Sequence, residues 1–149
     1  MSLTVIGQGA LRSKLETLCE QLGVSGFVQF LGRKPNHEVF QKMCESGFFV
    51  MASKPEGFGI VYLEAMAAGC VAVGTEGEGI DGVIKNGENG FLVPADDVET
   101  VVTVIKNAMA DPQHMAAIAA RGKATALNMT WEHNARQYEE LFGQLLEGV

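Results

Sequence analysis

The sequence predicts an α/β fold: a parallel sheet of about five strands with helices on both faces, followed by C-terminal helices, in one domain over residues 1–149. Two observations predict it. Short apolar runs rich in β-branched and aromatic residues, at 3–6, 27–31, 48–52, 71–74 and 90–93, alternate with segments of helical period at 11–22, 36–45 and 60–68. Strands separated by helices return to the same end of a sheet and so run parallel. After residue 93 the strand pattern stops, and only helical periods remain at 97–110, 112–127 and 131–146, divided by Asp111-Pro112 and by the polar turn 128–130.

The element boundaries carry their own chemistry. Gly23, Gly47 and Gly69 follow helical segments, where a left-handed residue most readily ends a helix, and Pro35 stands where a first-turn proline belongs. Glycine-rich loops, TEGEGIDG at 75–82 and NGENG at 86–90, sit at strand ends. With 149 residues, 47% of them hydrophobic, the chain is long enough to bury a substantial core.

Charge and composition exclude several classes. A net charge of −7, from 18 acidic and 11 basic residues, leaves no basic stripe for a phosphate backbone, so no nucleic acid partner is expected. Cys19, Cys44 and Cys70 are an odd number without a CxxC pair, and read as small buried hydrophobes in a reducing compartment. No basic n-region opens the chain and no apolar run approaches the length of a membrane span. The expectation is a cytoplasmic protein with no integral membrane segment.

Most candidate motifs have a plainer account. Gly7-Gln8-Gly9 follows a strand and precedes a helix, as in dinucleotide sites, but position 12 is Arg12, and the second strand ends in Gly32-Arg33 with no ribose-binding acid. It reads as a tight strand-to-helix turn. His37, His114 and His133 lie on separate helices without ligand spacing, so they read as surface residues and no metal centre is expected. There is no GxSxG elbow and no Walker loop. Trp131, Tyr138 and Phe142 fall near helical spacing and read as a packing stripe.

The segment SKPEGFGIVYLEAMAAG, residues 53–69, is different. It begins as the loop at the carboxyl end of a buried strand, where open parallel sheets place their ligands. Gly57 and Gly59 let backbone approach a ligand closely, and the helix that follows offers unpaired N–H groups and a positive dipole end to an anion. Together they make a diphosphate cradle. Glu64 lies roughly 6 Å along the helix axis from that cradle, within reach of a ribose carried on the phosphates. Glu56 can serve a sugar on the other side, because a carboxylate offers two acceptors to a vicinal pair of hydroxyls. The neighbours of Glu64 are almost all apolar, so the sequence predicts a helix buried on most sides and a carboxylate that needs a reason to be there. The plainer account keeps Glu56 as a loop charge and Glu64 as a solvated or structurally paired acid.

The run EGFGIVYLEAMAAG resembles the E-x7-E signature of retaining glycosyltransferases with the GT-B fold (glycosyltransferase group 1, family four). The resemblance extends over essentially the whole chain, through LTVIGQGALRSKLETLCEQLGV, VQFLGRKPNHEVFQKMCESGFFVMAS, GVIKNGENGFLVPADD and TWEHNARQYEELFGQLL in that order. It implies half of a GT-B fold, the Rossmann-like C-terminal domain that binds a nucleotide-diphospho-sugar, with no cofactor and no metal. By that resemblance Glu56 contacts the donor sugar and is the catalytic candidate. Gly57, Phe58 and Gly59 contact sugar and phosphate through their amides, Glu64 holds the ribose, and Gly32, Arg33 and Lys34 meet the base. Lys54, Arg33 and Lys34 are the nearest cations to a diphosphate by sequence. Two departures bear on selectivity: Gly69-Cys70-Val71 stands where many relatives have G-x-P, and TEGEGIDGVI replaces a GG-x-x-E loop.

The resemblance also implies that the first βα unit and the N-terminal acceptor domain are absent. The parent would be a hexosyltransferase, peripheral to a membrane or free, whose other domain partners this one, and these 149 residues alone would be inactive. The five strands are expected to close up in the order 2-1-3-4-5, with 3–6 beside 48–52, the alternatives being an exchange of elements between chains or a gap in the sheet, and an exposed sheet edge would offer itself to a second copy in a dimer. A nucleotide-sugar epimerase, a phosphorylase of related fold and a non-catalytic nucleotide-sugar-binding module are the alternatives.

Overall fold

The computed structural model describes residues 1–55 and 57–147, with backbone only at Asn134 and Glu147. The chain forms two compact units, Met1–Lys42 and Met43–Val149.

In the first unit, strand β1 (Leu3–Ile6) pairs in parallel with β2 (Val28–Gly32), and helix α1 (Arg12–Gln21) connects them through a 3-10 turn at Ser25–Phe27. Arg12, which occupies the position of a dinucleotide-fold glycine, ties the first turn together. Its Nε donates to Glu16 at 2.8 Å, its Nη2 donates to the Phe30 carbonyl at 3.3 Å, and its guanidinium lies 5.9 Å from the Phe30 ring centroid. The Gly7 amide donates to the Gly32 carbonyl at 2.9 Å, so the Gly7-Gln8-Gly9 segment serves as a strand-to-helix turn. Helix α2 (Asn36–Cys44) follows, and the Pro35 carbonyl accepts from Glu38 and Val39 in its first turn.

The second unit is built on β3 (Phe48–Val50), β4 (Val71–Thr75) and β5 (Phe91–Val93), parallel and in that order. β4 is paired on both edges and every one of its residues is buried, as a continuous apolar run in a parallel sheet should be. Helix α3 (Ile60–Ala68) lays Tyr62, Ala65 and Met66 into the core with Ile80, Ile84, Leu92 and Ala126, and the Phe49 ring meets Tyr62 edge-on with centroids 5.5 Å apart. Helices α4 (Val98–Ala110) and α5 (Pro112–Asn128) start on aspartate caps, Asp97 accepting from the Thr100 amide and Asp111 from the His114 amide, each at 3.0 Å. The final helix is α6 (Trp131–Glu147). Among the described residues no helix is long and apolar enough to cross a membrane.

Four expectations are corrected. The strands form two sheets, β1-β2 and β3-β4-β5, rather than one sheet in the order 2-1-3-4-5. Alternation of strand and helix dictates parallel direction but does not specify which edge meets which, and β1 and β3 each use a single edge and stay partly exposed. Gly47 has no left-handed φ, unlike Gly23 and Gly69; α2 ends instead with the Ser46 amide on the Met43 carbonyl. Of the cysteines only Cys70 is buried, while Cys44 is exposed. Trp131, Tyr138 and Phe142 do share a face of α6, but that face is exposed, with Tyr138 stacked on Phe142 at 6.3 Å.

Candidate donor site

The loop between β3 and α3 begins with the Met51 amide on the Val73 carbonyl at 3.1 Å. Two side chains then hold its carbonyls from beneath. The fully buried Tyr62 donates its hydroxyl to the Met51 carbonyl, and the fully buried Thr75, last residue of β4, donates to the Ser53 carbonyl at 3.2 Å. A buried hydroxyl or carbonyl left unpaired is costly, so these bonds fix the backbone path of the loop. Neither role is visible in local sequence, where Tyr62 reads as one more apolar residue of α3.

Lys54 is exposed, and Glu56, the expected donor-sugar contact and catalytic candidate, lies outside the described residues. Gly57 and Phe58 lead to Gly59, whose φ of 66° is left-handed and suits glycine, and which caps α3 without a side chain. The Gly59 carbonyl accepts from the Tyr62 amide at 2.9 Å. Among the described residues no side chain caps the start of this nine-residue helix, so its positive dipole end is suited to an anion.

Glu64 departs from expectation. It is exposed, because the core takes only the face bearing Tyr62, Ala65 and Met66, and Glu64 projects about 200° around the helix from Tyr62. An apolar composition on all sides did not mean burial on all sides. Exposed, the carboxylate is available to a ligand.

In the other unit, Gly32 closes β2 with a φ of 66°, and its added Cβ would lie 3.7 Å from the Arg12 guanidinium. Arg33 is exposed. Lys34 is engaged: its ammonium meets the Glu38 carboxylate at 2.8 Å, and that hydrogen bond holds Glu38 below its ordinary carboxylate value. His37, His114 and His133 are all exposed.

A cavity of about 540 Å³ lies elsewhere, lined by Lys85, Asn89, Arg121, Thr125 and His133 among others, and none of the expected donor residues borders it. Its Arg121 is spent on the Glu88 carbonyl and its Asn89 on structural bonds. The strand-end loop is the better candidate, because it joins close backbone approach, an uncapped helix start and an exposed carboxylate.

Parallel strands feeding a glycine loop into a helix N-terminus, with a carboxylate on the second helical turn, define an α/β domain suited to phosphorylated ligands. The chain belongs to the glycosyl transferases group 1 family, whose pattern its residues 1–125 match. It is 33% identical over 140 residues to the D-inositol 3-phosphate glycosyltransferase of Corynebacterium urealyticum, covering 93% of this chain and 33% of that protein. It is 30% identical to a GDP-mannose-dependent alpha-(1-6)-phosphatidylinositol monomannoside mannosyltransferase of Mycolicibacterium smegmatis, covering 94% of this chain and 39% of that one. The structure of Anabaena Alr3699/HepE in complex with UDP-glucose superposes with a TM-score of 0.81 at 26% identity, covering 95% of this chain and 41% of that one. The chain thus spans about a third of the length of the curated relatives it matches. Its fold is α/β with parallel sheets, and its structural neighbours are GT-B glycosyltransferases.

Proposed function

We propose that this chain is the donor-binding domain of a retaining, metal-independent hexosyltransferase that moves a sugar from a nucleotide-diphospho-sugar to an acceptor held by the rest of the protein. The observation that carries the reading is the Gly57-Phe58-Gly59 turn at the uncapped start of α3 with the exposed Glu64 one turn on. Amides at the helix start neutralise part of the diphosphate charge, which is the leaving group's charge as the glycosidic bond breaks. Glu64 accepts from the ribose hydroxyls, Glu56 from the donor sugar, and Lys54 adds positive field near the phosphates; Gly32, Arg33 and Lys34 are assigned to the base by the family resemblance alone. Membership of the family and the UDP-sugar complex of a relative support donor binding by this domain. Retention follows from the family resemblance alone.

The test separates the two carboxylates in the full-length protein. Glu64→Ala is expected to weaken UDP and GDP alike, whereas Glu56→Ala leaves free nucleotide binding intact and damages use of the sugar-nucleotide. Each lost charged hydrogen bond is worth about 1.5–3 kcal/mol. Equal losses of free-nucleotide binding in both variants would overturn the assignment, and a product of inverted anomeric configuration would overturn retention.

A further inference from the structure

Gly79 opens the 3-10 turn Gly79–Gly82 in the loop after β4. A Cβ placed on it would lie 2.1 Å from the Gly57 carbonyl oxygen and 2.8 Å from the Phe58 Cα, both backbone atoms with no rotamer to yield. Its φ is not left-handed, so space rather than conformation requires glycine here. The turn itself is fixed. Ile80 is fully buried against Gly74 and Tyr62, its carbonyl accepts from Val83 and Ile84 at 2.9 Å, and the Asp81 carboxylate closes the loop on the Gly77 amide at 2.6 Å. Any side chain at position 79 therefore pushes on residues 57 and 58.

We propose that Gly79 is a positioning residue for sugar transfer. Its bare backbone sets the height of the Gly57-Phe58-Gly59 turn, while Thr75 and Tyr62 fix the same loop at Ser53 and Met51. Resting on the donor-binding reading above, this assigns the loop after β4 as the back wall of the sugar and diphosphate subsite. The wall touches no ligand; it determines where the amides stand. A displacement of about 1 Å at such amides costs about 100-fold in rate.

The experiment compares the full-length protein with Gly79→Ala, Gly82→Ala and Thr75→Val in transfer kinetics, in affinity for free UDP and GDP, and in thermal midpoint. Gly82 is the control, since a Cβ there meets nothing within 4 Å. Gly79→Ala is expected to lower kcat about 100-fold and to weaken free UDP and GDP by a smaller factor, because the amides beside the diphosphate shift while the ribose contact is untouched. Gly82→Ala is expected to match the unaltered protein. Equal kcat in the two glycine variants overturns the proposal. Should Gly79→Ala fail to fold, Thr75→Val decides: it removes the Thr75 hydrogen bond to the Ser53 carbonyl without adding atoms beside Gly57. A fall in kcat of about tenfold that exceeds the loss of nucleotide affinity supports the proposal, and an unchanged kcat overturns it. If the unaltered protein neither binds UDP or GDP nor transfers sugar, the donor-binding reading fails and takes this inference with it. That result differs from intact transfer indifferent to position 79.

Discussion

The Asn89 side-chain amide donates to the Thr125 hydroxyl at 3.1 Å, joining the NGENG turn to α5 across 36 residues of sequence. The same amide donates to the Val83 carbonyl at 3.1 Å, and its oxygen accepts from the Lys85 amide at 2.7 Å. Asn89 is one of only two buried polar residues described, the other being Thr75. Both spend their hydrogen bonds on shaping loops at opposite ends of β4.

Asn89→Ala should therefore destabilise the protein by about 2–3 kcal/mol, because it leaves the Lys85 amide and the Val83 carbonyl without their partner. Thr125→Val removes a smaller share, about 0.5–1.5 kcal/mol, since Asn89 keeps its other two bonds. Urea midpoints at constant m-value measure both. A loss from Asn89→Ala no larger than that from Thr125→Val would refute the ranking.

Gly122 should resist replacement even though it sits in the middle of α5. Helix propensity favours alanine there by about 1 kcal/mol. Against that, an added Cβ would stand 2.7 Å from the Asn89 carbonyl oxygen, and forced repacking costs about 1–3 kcal/mol. Net destabilisation of Gly122→Ala is the expected outcome, and a raised thermal midpoint would show that the NGENG turn yields easily.

Cys70 and Cys44 should differ sharply as thiols. Cys70 is buried and donates to the Met43 carbonyl at 3.1 Å; burial first, then the neighbouring Cys44, pushes its pKa up to about 11. Cys44 is exposed. At pH 8, iodoacetamide should label Cys44 in the native protein and Cys70 only after unfolding, as read by mass spectrometry. The raised value also sets a pH window. The stability that the neutral thiol contributes is fully present below its unfolded value near 9 and is lost as pH rises toward about 11. Between pH 9 and 11 the unaltered protein should thus lose stability more steeply than Cys70→Ala.

Local rules made most of the fold legible. The expected helix 60–68 coincides with α3, and strand 3–6 with β1, because glycine turns and period changes mark their ends. Asp97 and Asp111-Pro112 announced α4 and α5 through cap chemistry that needs only neighbouring residues. What failed was non-local. Edge pairing of β1 depends on backbone groups far away in sequence, and the exposure of Glu64 depends on which face of an apolar helix the core takes. The contact between Gly79 and Gly57 joins two loops separated by a strand and a helix, so no spacing rule reveals it.

The ion pair between Lys34 and Glu38 yields a prediction about ligand affinity rather than stability. The two charges stand one helical turn apart at 2.8 Å on a partly exposed surface, where such pairs contribute little to folding. The Lys34 hydrogen bond holds Glu38 ionised below the ordinary carboxylate range, so at neutral pH the pair is fully formed and the ammonium is partly neutralised. Glu38→Gln keeps the side-chain length, releases the ammonium and changes the net charge from −7 to −6. If Lys34 meets the nucleotide as the family resemblance implies, affinity for UDP or GDP should rise about two- to fivefold, with the gain shrinking as salt increases from 0.05 to 0.5 M. Lys34→Ala should lower affinity by a similar factor. Titration calorimetry on both variants at two salt concentrations checks this, alongside urea midpoints that should stay near that of the unaltered protein. Nucleotide affinity indifferent to both substitutions would remove Lys34 from the donor site and leave Arg33 and Lys54 as the cations that act on the phosphates.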